Sequence, residues 1–210
     1  MPVKRPVSSP PCNGRELGQT VNMPVTIRLA SSADIPTLQA LIPASARALS
    51  RAYYSEAQIE AAIRYVFGVD SQLIADHSYY VAVDEEAVVG CGGWSWRRTL
   101  YGGDQRPMGK GALLDPAREA ARIRAFFVAG THARQGIGAR ILAMCEEAAS
   151  KRGFSRVELM STLPGIPFYR TCGFDEIEHI VDTLPDGTNI EFVRMARPIS
   201  RSIASSPEST

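Results

Sequence analysis

From Val25 onward the spacing of apolar residues switches several times between a period near two and a period near 3.6, the two signatures of strand and helix. The run Val25–Ala30, VTIRLA, reads as a strand, and SSAD directly behind it is a helix-entry signal. Ile35, Leu38, Leu41 and Ile42 then recur at helical spacing. Ser55 and Gln58 form a capping box, in which each side chain satisfies the other residue's backbone amide. Ile59, Ala62, Ile63 and Val66 supply the apolar stripe of the helix that follows. Tyr79–Val83 and Ala87–Trp96 are β-rich runs joined by the acidic turn DEE, which predicts a hairpin. The glycine-bearing loop from Arg97 to Leu114 is expected to be mobile. Asp115-Pro116 opens a short turn or helix, because proline fits the first helical position after an aspartate cap.

The second half repeats the alternation. Ile123–Val128 is a strand, followed by a basic loop and a helix over about residues 138–152 with Ile141, Cys145 and Ala148 inward. Gly153 stops that helix. Arg156–Met160 is a strand and Pro167–Cys172 a short helix ended by Gly173. Glu176–Val181 and Ile190–Met195 form an antiparallel pair around PDGT. Such an order, with both hairpins and crossovers, is a mixed α/β pattern and fits neither a sandwich nor a regular βαβ repeat. The folded domain is expected over residues 23–198. Residues 1–22 carry Pro, Gly, Ser and Asn without periodicity and read as a disordered extension lacking the apolar core of a signal peptide. Residues 199–210 read as a flexible tail.

Composition narrows the function classes. A chain of 210 residues, 45% hydrophobic, suffices for one substantial core. A net charge of +1 argues against a long phosphate track, so no nucleic acid partner is expected. Cys12, Cys91, Cys145 and Cys172 stand far apart, as do His77, His132 and His179. Neither a metal site nor a disulfide framework is expected, and the cysteine usage fits a reducing cytoplasm. No apolar run approaches the roughly 20 residues of a membrane span.

Candidate chemistry centres on THARQGIGARIL, residues 131–142. A helix N-terminus leaves backbone N–H groups without intrahelical partners and carries partial positive charge. Gly136 and Gly138 remove side chains that would keep a phosphate off those amides, and Arg134 and Arg140 add full charges on either side. A P-loop would need Gly-Lys-Ser/Thr here, and the dinucleotide fingerprint would need glycine where Ile141 stands. The plainer alternative is a helix start packed closely on its sheet.

The second motif is STLPGIPFYRTCGF, residues 161–174. A strand ending FFV, then ARQGIGARIL, a second strand and PFYRTCGF together resemble the GNAT superfamily of acetyl-CoA-dependent N-acetyltransferases. The superfamily's phosphate loop, Gln/Arg-x-x-Gly-x-Gly/Ala, is matched at Gly136 and Gly138, with Ala133 where Gln or Arg is commonest and Arg134 beside it. Its Phe-Tyr-x-x-x-Gly-Phe run is matched at Phe168, Tyr169, Gly173 and Phe174. Thr162 stands where asparagine is often found.

The resemblance implies a mixed, mostly antiparallel sheet flanked by helices, whose central strands Ile123–Val128 and Arg156–Met160 splay apart. Acetyl-CoA would be the cosubstrate, without metal. Its pantetheine arm would bond the backbone of Phe127 and Val128. Its pyrophosphate would sit on Arg134, Gln135, Gly136, Ile137, Gly138 and Ala139, with Thr162 and Phe168 adjoining. Tyr169 would protonate or hydrogen-bond the departing thiolate. The acceptor would be a primary amine on a small molecule or peptide, walled by Tyr53, Tyr54, Glu56 and Trp94. Trp94 and Trp96 share a strand face, and such a pair is more often core or sheet-face packing than a stacking wall for a substrate. Members of the superfamily often pair, so a homodimer is admitted.

A free alkyl amine is mostly protonated at neutral pH, and uncharging it costs roughly 4–5 kcal/mol, so a base is required. Glu56, Glu119, Glu158, His77 and His132 are the candidates, with no motif to choose among them. Two other readings stay open at this point: a degenerate acyl-CoA-binding sensor, and a site for another phosphate-bearing ligand such as a nucleotide.

Overall fold

The computed structural model describes residues 25–106 and 111–199. Its elements are β1 (Thr26–Leu29), α1 (Ile35–Ser50), α2 (Glu56–Tyr65), α3 (Ser71–Ala75), β2 (Tyr79–Asp84), β3 (Ala87–Ser95), β4 (Ala121–Val128), α4 (Ile137–Lys151), β5 (Arg156–Thr162), α5 (Ile166–Thr171), β6 (Asp175–Thr183) and β7 (Asn189–Pro198). The strands form one seven-stranded sheet in the order β1-β2-β3-β4-β5-β7-β6. Every pairing is antiparallel except β4 with β5. This is the mixed, mostly antiparallel sheet that the resemblance implied.

Each face of the sheet buries its own apolar cluster. Leu38, Ile42, Ile59 and Leu73 of α1–α3 pack with Tyr79 and Val81 on one side. Ile141 and Cys145 of α4 and Tyr169 of α5 pack with Tyr80 and Ala82 on the other. Successive β2 residues thus point to opposite clusters, as strand geometry requires. On α4 the buried apolar positions are Ile137, Ile141, Leu142, Cys145 and Ala149; Ala148, expected inward, packs against the same cluster but is only partly buried.

Local chemistry sets the helix ends. The Ser55 side chain accepts from the Gln58 amide and the Gln58 side chain returns the bond, so the capping box forms. The five-residue α3 was not expected; Asp70 caps it by accepting from the Leu73 amide at 3.2 Å. The loop expected to be mobile is held at several points over its described part. Gly103 N donates to Val66 O at 2.9 Å, Asp104 N to Val69 O at 2.8 Å, and Arg97 bridges to Leu113. The extension 1–22 lies outside the described residues, as does the tail beyond Ile199. Ile199 itself is buried and its amide donates to Ser155 O at 2.9 Å, so the chain is anchored one residue further than expected.

Candidate active site

β4 and β5 pair only from Ala121 to Ile123, against Val157 to Leu159. Beyond that point β4 stays with β3 as far as Val128, and β5 stays with β7 as far as Thr162. Their facing edges therefore part, and a cleft of about 770 Å³ opens between them. Where they part, β4 is bulged. Between the pairs Cys91↔Phe127 and Gly93↔Arg124, two β4 residues stand opposite one β3 residue. Ala125 in the bulge has φ +54°, a left-handed conformation that costs a non-glycine residue roughly 1–2 kcal/mol. Its carbonyl accepts from the buried Tyr79 hydroxyl at 3.2 Å, which helps hold the bulge in place.

The turn into α4 forms one end of the cleft. Arg134 at φ +64° and Gly136 at φ +79° flank Gln135, a local geometry that turns successive amides toward one concavity. A Cβ on Gly136 would meet nothing within 4 Å, so glycine is needed there for its conformation, not for space. Among the described residues, none of the amides of 134–139 donates to a protein acceptor. Buried Ile137 anchors the turn in the core. The Gln135 side chain folds back to donate to Thr131 O at 3.2 Å, and Arg140 donates to Val25 O at 2.8 Å. A concave run of free amides at a helix mouth, with Arg134 beside it, fits a diphosphate.

Phe127, Val128, Thr162, Phe168 and Tyr169 all line the cleft. Tyr169 lies among aromatic rings, with Phe126 at 6.4 Å, Phe168 at 4.9 Å and Phe174 at 5.5 Å between centroids. Among the described residues its hydroxyl has no hydrogen-bond partner. Burial, with smaller contributions from nearby Cys145 and Cys172, raises the phenol well above its ordinary range. Such a phenol holds its proton firmly. Full transfer to a thiolate is then steeper than the roughly 2 kcal/mol separating ordinary phenol and thiol pKa values, so hydrogen-bond donation to sulfur is the easier service.

The acceptor-side expectations fare unevenly. Tyr53, half exposed, lines the cleft. Tyr54 does not: it is buried, donating to Glu191 O at 2.6 Å and accepting from Leu163 N at 2.8 Å, and so fastens the α1–α2 junction to the sheet. Glu56 is exposed on the first turn of α2, away from the lining. Trp94 is buried against Trp96 and Phe154, at 5.3 and 6.3 Å, also outside it. Of the candidate bases only His132 lines the cleft, hydrogen-bonded to Asp84 at 3.0 Å and Thr131 at 2.8 Å. Glu158 pairs with Arg122 and Glu119 with Arg98.

Among the lining residues that the sequence did not point to are Ser45 and Arg124. Ser45 on α1 reaches Val128. Arg124, 7% exposed, lies 2.8 Å from Asp70 and donates to Gly102 O at 2.6 Å. Burial raises the Asp70 carboxyl while the Arg124 guanidinium, charged at any working pH, pulls it back. The only signal for Arg124 was a charge inside an otherwise apolar strand end.

The family model described as the acetyltransferase (GNAT) family matches residues 44–174. A comparison with curated proteins finds no significant match. Among solved structures, a GCN5-related N-acetyltransferase from Rhodopseudomonas palustris superposes with a TM-score of 0.62 at 17% identity, over 86% of this chain and 99% of that one. The PaiA N-acetyltransferase from Thermoplasma acidophilum, in complex with coenzyme A, gives 0.57 at 16% identity over 84% and 99%. A phosphinothricin acetyltransferase from Sinorhizobium meliloti, in complex with acetyl-CoA, gives 0.56 at 20% over 89% and 95%. At these identities the structural likeness speaks for the fold alone. The family match covers more than half of the sequence, and on that ground the chain belongs to the acetyltransferase (GNAT) family.

Proposed function

We propose that the protein transfers the acetyl group of acetyl-CoA directly to a primary amine of a small-molecule or peptide acceptor. One observation carries this reading: the cleft between the parted edges of β4 and β5 is lined by both the turn at residues 134–139 and the Tyr169 phenol, neither of whose donors has a protein partner among the described residues. Related folds solved with coenzyme A or acetyl-CoA support the choice of cosubstrate.

Acetyl-CoA, when bound, supplies an activated thioester and a thiolate leaving group. The chain's own residues do the rest. The amides of Arg134 through Ala139 hold diphosphate oxygens, with the Arg134 charge alongside. The Val128 backbone, turned to the parted side, orients the pantetheine arm like an added strand, while Phe127, whose backbone faces Cys91 of β3, contributes only its place in the cleft lining. Phe168 packs across Gly138 and fixes the first turn of α4 beside the aromatic run. Tyr169 holds a proton at its hydroxyl and presents it to sulfur. Met160, Phe192 and Tyr101 give the acceptor side an apolar and aromatic lining. The same reading keeps residues 23–198 as the catalytic domain and the protein in the cytoplasm.

A second reading, an acyl-CoA-binding sensor without turnover, is favoured by one observation: among the described residues, no Asp or Glu lines the cleft. Incubation with acetyl-CoA and a panel of primary amines, following thiol release and acetylated product by mass, tests the proposal. Product with at least one amine supports transfer. Coenzyme A binding with no product across the panel supports the sensor instead.

A further inference from the structure

We infer that the Ser45 hydroxyl is a displaceable cap on β4, competing with the pantetheine arm for the backbone of Val128; this rests on the proposed reading of the cleft. Along β4, Phe127 pairs with Cys91, and Ala129 N donates to Val89 O at 2.8 Å. Strand alternation therefore turns the polar groups of Val128, between them, away from β3 and toward the parted side. There they meet Ser45. Its Oγ donates to Val128 O at 2.7 Å and accepts from Val128 N at 3.2 Å, so one hydroxyl satisfies both groups.

Ser45 is 2% exposed, on the inward face of α1 between Ile42 and Ala46. A buried helical serine ordinarily bonds back to the carbonyl four residues earlier. This one bridges to a strand edge that would otherwise leave a donor and an acceptor without partners. A ligand adding to β4 as a strand needs that same N–H and C=O. Both claims cannot be met at once. Ser45 must turn away as the arm docks, and the Leu41 carbonyl, one turn back on α1, can then accept its hydroxyl.

Removing the hydroxyl thus weakens the free protein and leaves the bound one nearly untouched, so by linkage the ligand must bind more tightly. One net hydrogen bond corresponds to about three- to tenfold in Kd. A serine that merely packs would lower stability and leave affinity unchanged or worse.

The test is Ser45→Ala in the full chain, titrated with coenzyme A by calorimetry beside the wild type, with amide exchange of Val128 followed by NMR. Expected are a lower Tm, a Kd about three- to tenfold tighter, and a Val128 amide that exchanges faster without coenzyme A but as slowly as wild type with it. Ser45→Thr, which keeps the hydroxyl, restores Tm and affinity. Ser45→Cys, a weak donor and acceptor, shifts affinity in the same direction as alanine and serves if the alanine variant does not fold. A wild type that binds while the alanine and cysteine variants bind equally or more weakly overturns the cap alone. A wild type that binds no coenzyme A overturns the reading of the cleft and the cap with it.

Discussion

The ring of Phe168 lies across the first turn of α4, so close that a Cβ on Gly138 would stand 3.2 Å from Phe168 Cζ. The contact joins the two sequence motifs in space, since Phe168 opens the aromatic run and Gly138 closes the glycine turn. It also separates the roles of the two glycines. Gly138→Val drives two methyls into the ring, at a cost of about 1–3 kcal/mol. Gly136→Val meets no neighbour but must hold φ +79°, which costs roughly 1–2 kcal/mol and re-aims the adjoining amides. Both variants should lower Tm by a few degrees and weaken coenzyme A at least tenfold, read by thermal unfolding and calorimetry. Unchanged affinity in Gly136→Val would contradict a diphosphate on this turn.

Tyr169→Phe removes a hydroxyl that has no protein partner among the described residues and keeps a ring packed against Phe126, Phe168 and Phe174. Stability should stay within about 0.5 kcal/mol of wild type. Turnover with acetyl-CoA should fall at least tenfold, toward the hundredfold typical of a lost general acid. Coenzyme A affinity should stay within about twofold. Equal turnover in the two proteins would assign the thiolate's proton to another donor.

Much of this architecture was legible in the sequence. Period-two runs and turn signals gave all seven strands, and Ser55 with Gln58 marked the start of α2. The two glycine-bearing motifs, 131–142 and 161–174, both supply residues to the cleft lining. What stayed hidden depends on contacts across the chain. Helix α3 is too short for periodicity to register, and its Asp70 cap reads like any loop aspartate. Ala125 in a left-handed bulge carries no residue-type signal, since alanine rarely adopts that conformation. Tyr53 and Tyr54 are neighbours, yet one lines the cleft and the other is buried with its hydroxyl satisfied. Only the fold distinguishes them. Ser45 looked like a neutral helix residue because its partner lies 83 positions away.

Tyr54 offers a stability test with a definite pH dependence. Burial, partly offset by the Leu163 amide, pushes its phenol up to about 12, against about 10 when unfolded. A raised folded value means that the contribution is complete below pH 10 and is lost as pH climbs through 12. Tyr54→Phe leaves Leu163 N and Glu191 O without this partner, so urea unfolding at pH 7 should show a loss of about 1–3 kcal/mol. The gap between variant and wild type should narrow as pH rises from about 10 to 12. A gap that widens there would contradict a Tyr54 phenol kept protonated by burial.

The Asp70–Arg124 pair, 2.8 Å apart and 5–6% exposed at its side chains, should behave as a buried ion pair. Asp70→Asn strands a buried guanidinium and should cost about 3–5 kcal/mol. Joint replacement, Asp70→Asn with Arg124→Met, keeps a side-chain oxygen for the α3 cap and should recover most of that loss in urea unfolding. A double variant as unstable as the sum of its parts would show that the two residues are not coupled.

The central claim, that the turn at residues 134–139 grips a diphosphate and hangs a thioester arm along β4, is tested most directly by titrating coenzyme A into the intact chain. The account predicts measurable heat, one molecule bound per chain, and loss of that heat in Gly136→Val. Absence of binding to a folded wild-type chain, or full binding by the Gly136 variant, would contradict it.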